Sequence, residues 1–193
     1  MCLKHGQGTD SFANGDVYTG PYVDGKPHGK GEYVWSTGQV YTGDFYRGKK
    51  HGKGKWRSSR NVQSCNVYEG EYQNDRKHGK GVFTWASGNI YKGDYIEDER
   101  QGNGQMLWTD GSMYEGEWVS GIQHGLGRMI FPNGSQKEGY FENNVFRYAI
   151  TGQNSTSSIK GPGSTIVNNQ MRSTNASSGF QSDALHNINQ NPY

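Results

Sequence analysis

Apolar and polar residues alternate through most of this chain, and the alternation returns at a fixed interval. In Tyr18–Tyr22 the letters YTGPY place a ring, a glycine and a ring at every second residue, and in Gly31–Trp35 the letters GEYVW do so with a glycine and two rings. A period of two is typical of a β-strand, because successive side chains point to opposite faces of a sheet. Helices are not predicted, since glycine interrupts every stretch and strong helix formers are scarce. Each pair of alternating stretches therefore predicts one β-hairpin.

The predicted hairpin recurs with a 23-residue period, which organises the sequence. Complete units start at tyrosines that are 23, 27, 23 and 23 residues apart, namely Tyr18, Tyr41, Tyr68, Tyr91 and Tyr114. A half unit, 5–17, precedes them and a partial unit, 137–146, follows. The long step contains four extra residues within 58–67, where we expect a bulge or a protruding loop. Residues 1–146 are therefore predicted to be all-β: an elongated single-layer antiparallel meander of hairpins, in which each unit contacts only its neighbours.

Glycines and aromatic residues keep fixed positions in the unit, counted from position 1 at each starting tyrosine. Glycine occupies positions 3, 12 and 14 six times each, and 26 of the 30 glycines fall in recurring columns. Because glycine has no side chain, neighbouring rings can lie over its backbone, and we expect rings at the same position of successive units to stack along the sheet. The repeat residues with a predicted structural role are Tyr18, Gly20, His28, Gly29, Gly31, Tyr41, Gly43, His51, Tyr68, Gly70, His78, Tyr91, Gly93, Tyr114, Gly116 and His124.

The recurring order Y-x-G-x-x-x-x-G-x-x-H-G-x-G resembles the MORN repeat (membrane occupation and recognition nexus). The resemblance extends over residues 5–146, with departures at Gln101, where histidine is usual, at Lys137, where tyrosine is usual, and at the insertion after Trp56. It implies an elongated, curved antiparallel sheet with one grooved face. Short chains built almost wholly of these repeats are similar to the MORN-type radial-spoke head proteins and other axonemal proteins of cilia and flagella, which implies a cytoskeletal location.

Composition narrows the class of protein further. Leu, Ile, Val and Phe make up only 29 of 193 residues, too few for an ordinary aliphatic core, while a net charge of +2 is too small for a chain disordered throughout. Two cysteines, Cys2 and Cys65, do not make a disulfide framework, and we expect a cytoplasmic chain with no signal peptide and no membrane-spanning helix. The mild charge balance does not indicate nucleic-acid binding.

The C-terminal segment 147–193 differs from the repeats in composition. From Thr151 onward 27 of 43 residues are Ser, Thr, Asn, Gln or Gly, without periodicity, so we predict a low-complexity tail that is mostly disordered. The alternative is a segment that becomes ordered against a partner, with Ile159, Ile166 and Val167 as its anchors.

The histidines at position 11 are candidate metal ligands, but the distance between successive units argues against a metal site. Residues in the same column of adjacent units are about 10 Å apart in a sheet, far beyond the roughly 2.0–2.1 Å of a zinc–nitrogen bond. We expect these side chains to pack in turns with hydrogen bonds to the backbone, and Gln101 to substitute for a neutral imidazole. The histidines of this column are His5, His28, His51, His78 and His124.

No catalytic constellation is recognisable, so the sequence predicts neither an enzyme nor a cofactor. The segment GKPHGKGE lacks the spacing and the Ser or Thr of a phosphate-binding P-loop. Cys65 is predicted to be an exposed loop thiol. A carboxylate recurs at position 4 and is predicted to form a solvated or interface face, in Asp44, Glu71, Asp94 and Glu117.

Two surfaces are candidates for binding. The first is a protein-binding groove rich in rings, with the candidate residues Tyr22, Tyr33, Trp35, Phe45, Tyr72, Phe83, Trp85, Tyr95, Trp108, Trp118 and Phe131. The second is a set of basic hairpin loops on one edge of the first three units, suited to an anionic partner, with the candidate residues Lys26, Lys30, Lys49, Lys50, Lys53, Arg76, Lys77 and Lys80. Later units carry mostly neutral residues there, which predicts a basic end and a neutral end.

These features predict a non-catalytic scaffold that holds other proteins together in a large axonemal assembly. Open strands at both edges of the sheet leave a homodimer or a heteromeric β-contact open. Two alternatives remain: a peripheral membrane tether that binds acidic phospholipids weakly through the basic loops, and a module that regulates a lipid kinase in trans. The scaffold predicts partners that survive moderate salt, whereas the tether predicts salt-sensitive binding.

Overall fold

The structure is a computed structural model that describes residues 3–60 and 65–150. The described residues form one antiparallel sheet of 14 strands and contain no helix, which confirms the predicted all-β meander. In chain order the strands are β1 Gly6–Ser11, β2 Val17–Val23, β3 Lys26–Pro27, β4 Gly29–Val34, β5 Val40–Tyr46, β6 Lys49–Arg57, β7 Val67–Gln73, β8 Arg76–Thr84, β9 Ile90–Ile96, β10 Glu99–Leu107, β11 Met113–Val119, β12 Ile122–Ile130, β13 Gln136–Glu142 and β14 Val145–Ala149. They pair in chain order, except that β3 pairs only with β2 while β2 and β4 pair directly.

The end of the sheet differs slightly from the prediction. Strand β14 runs to Ala149, so residues 147–149 belong to the sheet although the sequence analysis assigned them to the tail. The rest of the predicted tail, from Thr151, lies outside the described residues, and so does its predicted disorder.

Two-residue turns join the two strands of each unit. At the turn of the third unit, Asn74 and Asp75 have φ angles of 50° and 73°, and the next unit repeats this at Glu97 and Asp98 with 49° and 75°. Two successive positive φ angles are the signature of a type I′ turn, whose twist matches that of the flanking strands. This explains why position 8 holds only Gly, Asp or Asn.

Each two-residue turn is also fastened to the preceding unit. The Asp75 backbone N–H donates to the Lys50 carbonyl (3.0 Å), and the Lys50 N–H donates back to Asp75 Oδ1 (2.8 Å). The same reciprocal pair joins Asp98 to Lys77. At the opposite ends of the strands, side chains at position 22 accept N–H groups from the next unit, as Asn89 Oδ1 does from Thr109 (3.1 Å). Hydrogen bonds beyond the strand ladder thus hold successive units in one orientation.

Strand pairing continues past the insertion. β6 and β7 pair without a register shift, from Gly52 opposite Tyr72 to Arg57 opposite Val67. Residues 61–64 lie outside the described part of the chain, so the predicted loop is described only at its ends. The prediction for Cys65 is wrong, because its side chain is buried. Two hydrogen bonds join the ends of the insertion beside it: the Asn66 N–H donates to Ser58 Oγ (2.9 Å), and the Ser58 N–H donates to the Asn66 carbonyl (2.9 Å).

The core lies on one side of the sheet, which we call the ring face; it carries positions 1, 3, 5, 10, 14, 16 and 18. Each position-1 tyrosine lies along its own strand, as Tyr91 does when its hydroxyl donates to the Asp94 carbonyl (3.1 Å). A methyl group at Gly93 would lie 2.5 Å from that hydroxyl oxygen. The ring therefore needs glycine beneath it, at position 3 of its own strand and position 14 of the partner strand. The fully buried tyrosines of this column are Tyr18, Tyr41, Tyr68, Tyr91 and Tyr114.

The rings form a continuous edge-to-face chain rather than a stack of equivalent positions. Tyr91 contacts Tyr95 of its own unit and Trp118 of the next, with centroids 5.3 and 5.2 Å apart and planes at 87° and 84°. Equivalent rings lie two strand spacings apart, too far for direct stacking, whereas edge-to-face contact suits the quadrupoles of the rings. The predicted same-position stacking is therefore wrong.

In the last unit the chain of rings ends with a cation at position 1 and a ring at position 10, the reverse of the second to fourth complete units. Position 1, elsewhere tyrosine, is Lys137, and position 10, elsewhere often a cation, is Phe146. The Phe146 ring contacts Phe141 at 5.4 Å and approaches Gly139, where a methyl group would lie 2.9 Å from its Cε2 atom. The Lys137 ammonium lies over Phe131 and Phe146, at 5.8 and 5.7 Å from the ring centroids. A cation thus still lies over rings, as Lys50 does in an earlier unit, but the cation is on the first strand of the hairpin and the ring is on the second.

Candidate interaction faces

The ring face does not contain the open aromatic groove that the sequence predicted. Six of the eleven candidate rings are buried in the core and cannot line an open groove: Tyr22, Phe45, Tyr72, Phe83, Tyr95 and Trp118. The other five, which pack at the margin of the core and are half-buried, are Tyr33, Trp35, Trp85, Trp108 and Phe131. The physical reason is the edge-to-face chain, in which the position-5 rings fill the spaces between the position-1 tyrosines.

An open groove lies on the opposite side of the sheet, which we call the groove face; it carries positions 2, 4, 6, 13 and 15. Its volume is about 1300 Å³, and it crosses β4 to β11. Glycine backbones, such as those of Gly43, Gly70 and Gly93, contribute to its lining, and polar and charged side chains stand beside them. The groove therefore offers polar groups rather than rings.

Charges on the groove face are largely paired across strands. Lys30 Nζ contacts Asp44 Oδ1 at 3.0 Å and Lys80 Nζ contacts Asp94 Oδ1 at 2.5 Å, each joining position 13 of one unit to position 4 of the next. Among the described residues, two lysines of the groove lining have no ion-pair partner: Lys53 and Lys92. The groove therefore combines internally neutralised pairs with two cations and one carboxylate, Glu71, that are not in ion pairs within the described residues.

The position-4 carboxylates do more than face solvent. The second strand of each complete unit contains a bulge opposite position 4; in β5 and β6 the register shifts between Gly43 and Phe45. Two hydrogen bonds involve Asp44 at this shift. The Asp44 carbonyl accepts a hydrogen bond from the Tyr41 hydroxyl (2.9 Å), and Asp44 Oδ2 accepts one from the Lys53 backbone N–H (3.0 Å). Burial acts to raise the pKa of Asp44, but the hydrogen bonds from Lys30 and from the Lys53 backbone lower it below its ordinary 3.8. The position-4 carboxylates, predicted to form a solvated or interface face, thus also stabilise the bulge, as Asp44 does.

Two of the predicted anion-binding lysines lie on the ring face. Lys50 Nζ is 5.2 Å from the Tyr72 ring centroid and 5.8 Å from that of Tyr41, and Lys77 Nζ is 5.6 Å from that of Phe83. Burial lowers the pKa of both lysines. The predicted placement of these two lysines in basic hairpin loops is wrong, because position 10 shares its face with positions 14 and 16 in a period of two. The remaining six divide between the groove face, with Lys30, Lys53 and Lys80, and the hairpin ends, with Lys26, Lys49 and Arg76. A single basic edge does not form.

Arg100, at position 10 of the next unit, was missed by the sequence analysis. Its guanidinium carbon lies 4.8 Å from the Trp118 ring centroid and 5.6 Å from that of Tyr91, and its Nη2 donates to the Gly121 carbonyl (2.5 Å). A cation over rings is attracted by the negative charge of their faces. The sequence does contain a signal for it. Lys or Arg recurs at position 10, which is an even number of residues from positions 14 and 16 and therefore lies on the same face as the rings.

Three of the position-11 histidines, His28, His51 and His124, contact rings on the groove face. Tyr46 lies between two of them, with centroids 5.3 Å from His28 and 5.7 Å from His51. Buried Nδ1 atoms of both histidines lack a hydrogen-bond partner among the described residues, so the expected backbone hydrogen bonds do not form there. No group of three or more metal-ligating side chains occurs in residues 3–60 and 65–150.

Comparison with known families accounts for this geometry. A family model of the MORN repeat matches six segments, 3–17, 18–40, 41–61, 68–90, 91–113 and 114–136, which together span well over half of the chain. The chain belongs to the MORN-repeat family. Comparison with curated proteins gives no match. Five of the six MORN segments begin at the same tyrosines as the hairpin units, so the family pattern describes the Tyr-over-Gly core seen here.

Membership of the MORN-repeat family indicates the general class of function. MORN repeats occur in scaffolds that bind other proteins or membranes, and the family is generally non-catalytic. No helix within the described residues is long and apolar enough to cross a membrane.

Proposed function

We propose that this MORN-repeat protein is a non-catalytic scaffold that holds partner proteins together in a ciliary or flagellar axoneme, as in a radial spoke head. The observation that carries the proposal is the open groove across eight consecutive strands, β4 to β11, on a sheet whose other face is occupied by its own core. A continuous polar channel of this kind suits an extended or helical segment of another protein.

The chemistry of the groove favours specific polar recognition over general attraction. Its cross-strand ion pairs are already satisfied, so an incoming segment gains little from them unless its own polar groups match the pattern. Lys53, Lys92 and Glu71 are the exceptions, since none of the three has an ion-pair partner among the described residues. The two ammonium groups can meet partner carboxylates, although Lys53 lies opposite Glu71 in the strand register. Glycine backbone between the side chains allows a partner to approach the sheet closely.

A tether for acidic phospholipids is the second candidate, and a module that regulates a lipid kinase in trans stays a separate alternative that no specific observation favours. The support for the tether is Lys26 and Lys49, exposed at hairpin ends without an ion-pair partner in the described chain. Against it stands the division of the basic residues between two faces, because attraction to an anionic surface adds up only over charges that reach that surface together.

The two candidates are tested by affinity capture from an extract of ciliated cells at about 0.15 M and about 0.5 M salt, between which the Debye length falls from about 8 Å to about 4 Å. The tagged full chain is compared with two charge-matched variants, Lys53→Glu with Lys92→Glu in the groove and Lys26→Glu with Lys49→Glu at the hairpin ends. Circular dichroism verifies the sheet in each variant. We expect identified axonemal proteins at both salts, lost with the groove variant and retained with the hairpin variant.

Other outcomes would refute the scaffold or its assignment to the groove. Capture of no axonemal protein, together with binding to phosphatidylserine vesicles that disappears at high salt and in the hairpin variant, would replace it by the tether. Axonemal capture that survives in the groove variant but fails in the hairpin variant would place the contact outside the groove.

A further inference from the structure

Strand β1 is the second strand of a hairpin whose first strand is not among the described residues. It carries positions 12 to 17 of the half unit and pairs on one side with β2, the first strand of the next unit. In every complete unit the other side of the second strand is paired with the first strand of the same hairpin. No strand of the described chain takes that place beside β1, so this side of its backbone is open.

On the ring face of β1, the space over Gly8 is open. In each of the five complete units the position-1 tyrosine lies over the position-14 glycine of its own hairpin. A methyl group on Gly81, for example, would lie 2.4 Å from the Tyr68 hydroxyl oxygen. Gly8 also occupies position 14, but a methyl group there would meet nothing among the described residues closer than Tyr22, at 3.7 Å. The space over Gly8 therefore has room for the ring of an added strand.

A second space lies beside Gly6, at position 12. In complete units the position-4 side chain lies over this glycine; a methyl group on Gly79 would be 2.5 Å from Glu71 Oε2. Gly6 has the positive φ of the other position-12 glycines, 83°, but a methyl group there would meet no atom of the described chain within 4 Å. Where position 4 is aspartate, as in Asp44, the carboxylate also accepts the position-13 N–H. A carboxylate on an added strand can therefore lie over Gly6 and accept the Gln7 N–H.

The charged side chains beside β1 already have the arrangement of a complete unit. Lys4 Nζ, at position 10, lies 5.7 Å from the ring centroid of Tyr22, much as Lys50 Nζ lies 5.2 Å from that of Tyr72. Lys50 also lies over the position-1 ring of its own hairpin, at 5.8 Å, so Lys4 can cover an added ring in the same way. Asp10 forms an ion pair with Lys4 and accepts the Tyr22 hydroxyl (2.8 Å), so it leaves no unpaired charge at the edge.

We propose that β1 binds an extended segment of another protein, which adds to the sheet as the first strand of the half unit. Three residues define the segment. An aromatic residue lies over Gly8, a glycine two residues later leaves room for the same ring, and an Asp or Glu directly after that glycine lies over Gly6. Main-chain hydrogen bonds to the open side of β1 give affinity, and the three side chains give specificity.

The sequence indicates that a different protein supplies this segment. The order aromatic, any residue, glycine, acidic residue begins in this chain at Tyr41, Tyr68, Tyr91 and Tyr114. Each of these four lies in a strand that is already paired on both sides, so a second copy would have to open one of its own units to supply the segment. Residues 1–2, 61–64 and 151–193, which lie outside the described part, do not contain this order.

Charge favours an acidic residue on the added strand. The carboxylate lies on the groove face, where β1 presents the uncharged residues Gln7, Thr9 and Ser11, so it meets no like charge on the strand that it joins. This contact goes beyond the proposed scaffold function and does not depend on it, because it uses the edge of β1 and not the groove across β4 to β11.

The test is titration of the full chain with a labelled synthetic peptide that copies Val67–Gln73, VYEGEYQ, followed by fluorescence anisotropy. Gly8→Ala is the deciding protein variant: its methyl group makes only an ordinary contact with Tyr22, so the sheet is retained, but it overlaps an added ring. Ser11→Ala, on the other face of β1, is the control. A peptide with Gly70→Ala loses the glycine beneath its own ring. Backbone amide NMR shifts locate the bound peptide, and circular dichroism verifies each fold.

We expect saturable binding to the wild-type chain and to Ser11→Ala, with amide shifts in β1 and not in β14. Gly8→Ala in the protein and Gly70→Ala in the peptide should each raise the dissociation constant by about tenfold or more, because both place a methyl group beneath a ring. No binding to the wild-type chain up to the solubility of the peptide would overturn the proposal. Unchanged affinity with either alanine substitution, or shifts confined to β14, would overturn it too.

Discussion

The two faces of this sheet are built from the same strands but tolerate change very differently. On the ring face, a position-1 tyrosine contacts two glycines, a carbonyl and two further rings, so each of these residues constrains the others. On the groove face, position 13 changes from Lys80 to Asn103 to Leu126 without a change in pairing. One face specifies the fold, and the other is left to carry recognition.

High pH should give the largest effect, because it acts on the whole ring face at once. Burial raises the pKa of the position-1 tyrosines above their ordinary 10.0, and burial followed by the hydrogen bond to Asp16 raises the pKa of Tyr33 to about 12. A tyrosine pKa that is raised by folding contributes stability that is complete below pH 10 and lost as the pH rises through the folded-state pKa. We expect cooperative loss of the sheet above pH 10, measured by far-ultraviolet circular dichroism together with tyrosinate absorbance. Ionisation of all thirteen tyrosines with the sheet intact would contradict this.

A methyl group under a ring should have the next largest effect. In Gly127→Ala the added carbon would lie 2.5 Å from the Tyr114 hydroxyl oxygen and 2.6 Å from the ring. Overpacking of this kind should lower the free energy of unfolding by about 3 kcal/mol, measured by urea denaturation. Gly8→Ala is the matched control, since Gly8 also occupies position 14 but a methyl group there would meet Tyr22 only at 3.7 Å. Equal losses in the two variants would show that glycine is needed for another reason.

Removal of one buried hydroxyl should cost less. Tyr91→Phe keeps the ring but leaves the Asp94 carbonyl without the hydroxyl that donates to it at 3.1 Å. An unsatisfied buried acceptor should lower the free energy of unfolding by about 1–2 kcal/mol, measured by the same denaturation. Tyr46→Phe, at an exposed ring of the groove face, should change it by almost nothing. A neutral Tyr91→Phe would mean that the ring alone holds the bulge.

The smallest effect should come from the groove face. Lys80→Met removes the ion pair with Asp94, in which the lysine is mostly exposed. Exposed ion pairs contribute about 0.2–1 kcal/mol, and salt screens them. We expect a loss below about 0.5 kcal/mol that vanishes in high salt. A loss comparable to that of Gly127→Ala would remove the distinction between the two faces.

The repeat made most of the fold predictable from sequence. The 23-residue period and the alternation within it gave the hairpins, their order and the unit starts, because each unit contacts only its neighbours. The glycine columns also pointed correctly to rings lying over backbone. The ring order was not predictable in this way, since the choice between stacking and edge-to-face contact depends on how position 5 fills the space between tyrosines.

The candidate site was predicted less well, for two physical reasons. Lys50 and Lys77 were grouped with the basic loops by their neighbours in sequence, although the parity of position 10 places them beside the rings. The open groove was placed on the aromatic face because rings are common in interfaces, whereas here the rings close on one another. Cys65 was judged by its polar neighbours, but the closed ends of the insertion hold it inside.

Pairing in chain order also has a consequence for the time course of folding. Most all-β proteins fold slowly because partner strands are far apart in the chain, so a long loop must close before any contact forms. In this sheet each strand needs only the strand before it, and each turn bonds to the unit just completed. The sheet can therefore grow strand by strand while the chain is still leaving the ribosome. The two edge strands then form at different times, β1 first and β14 last.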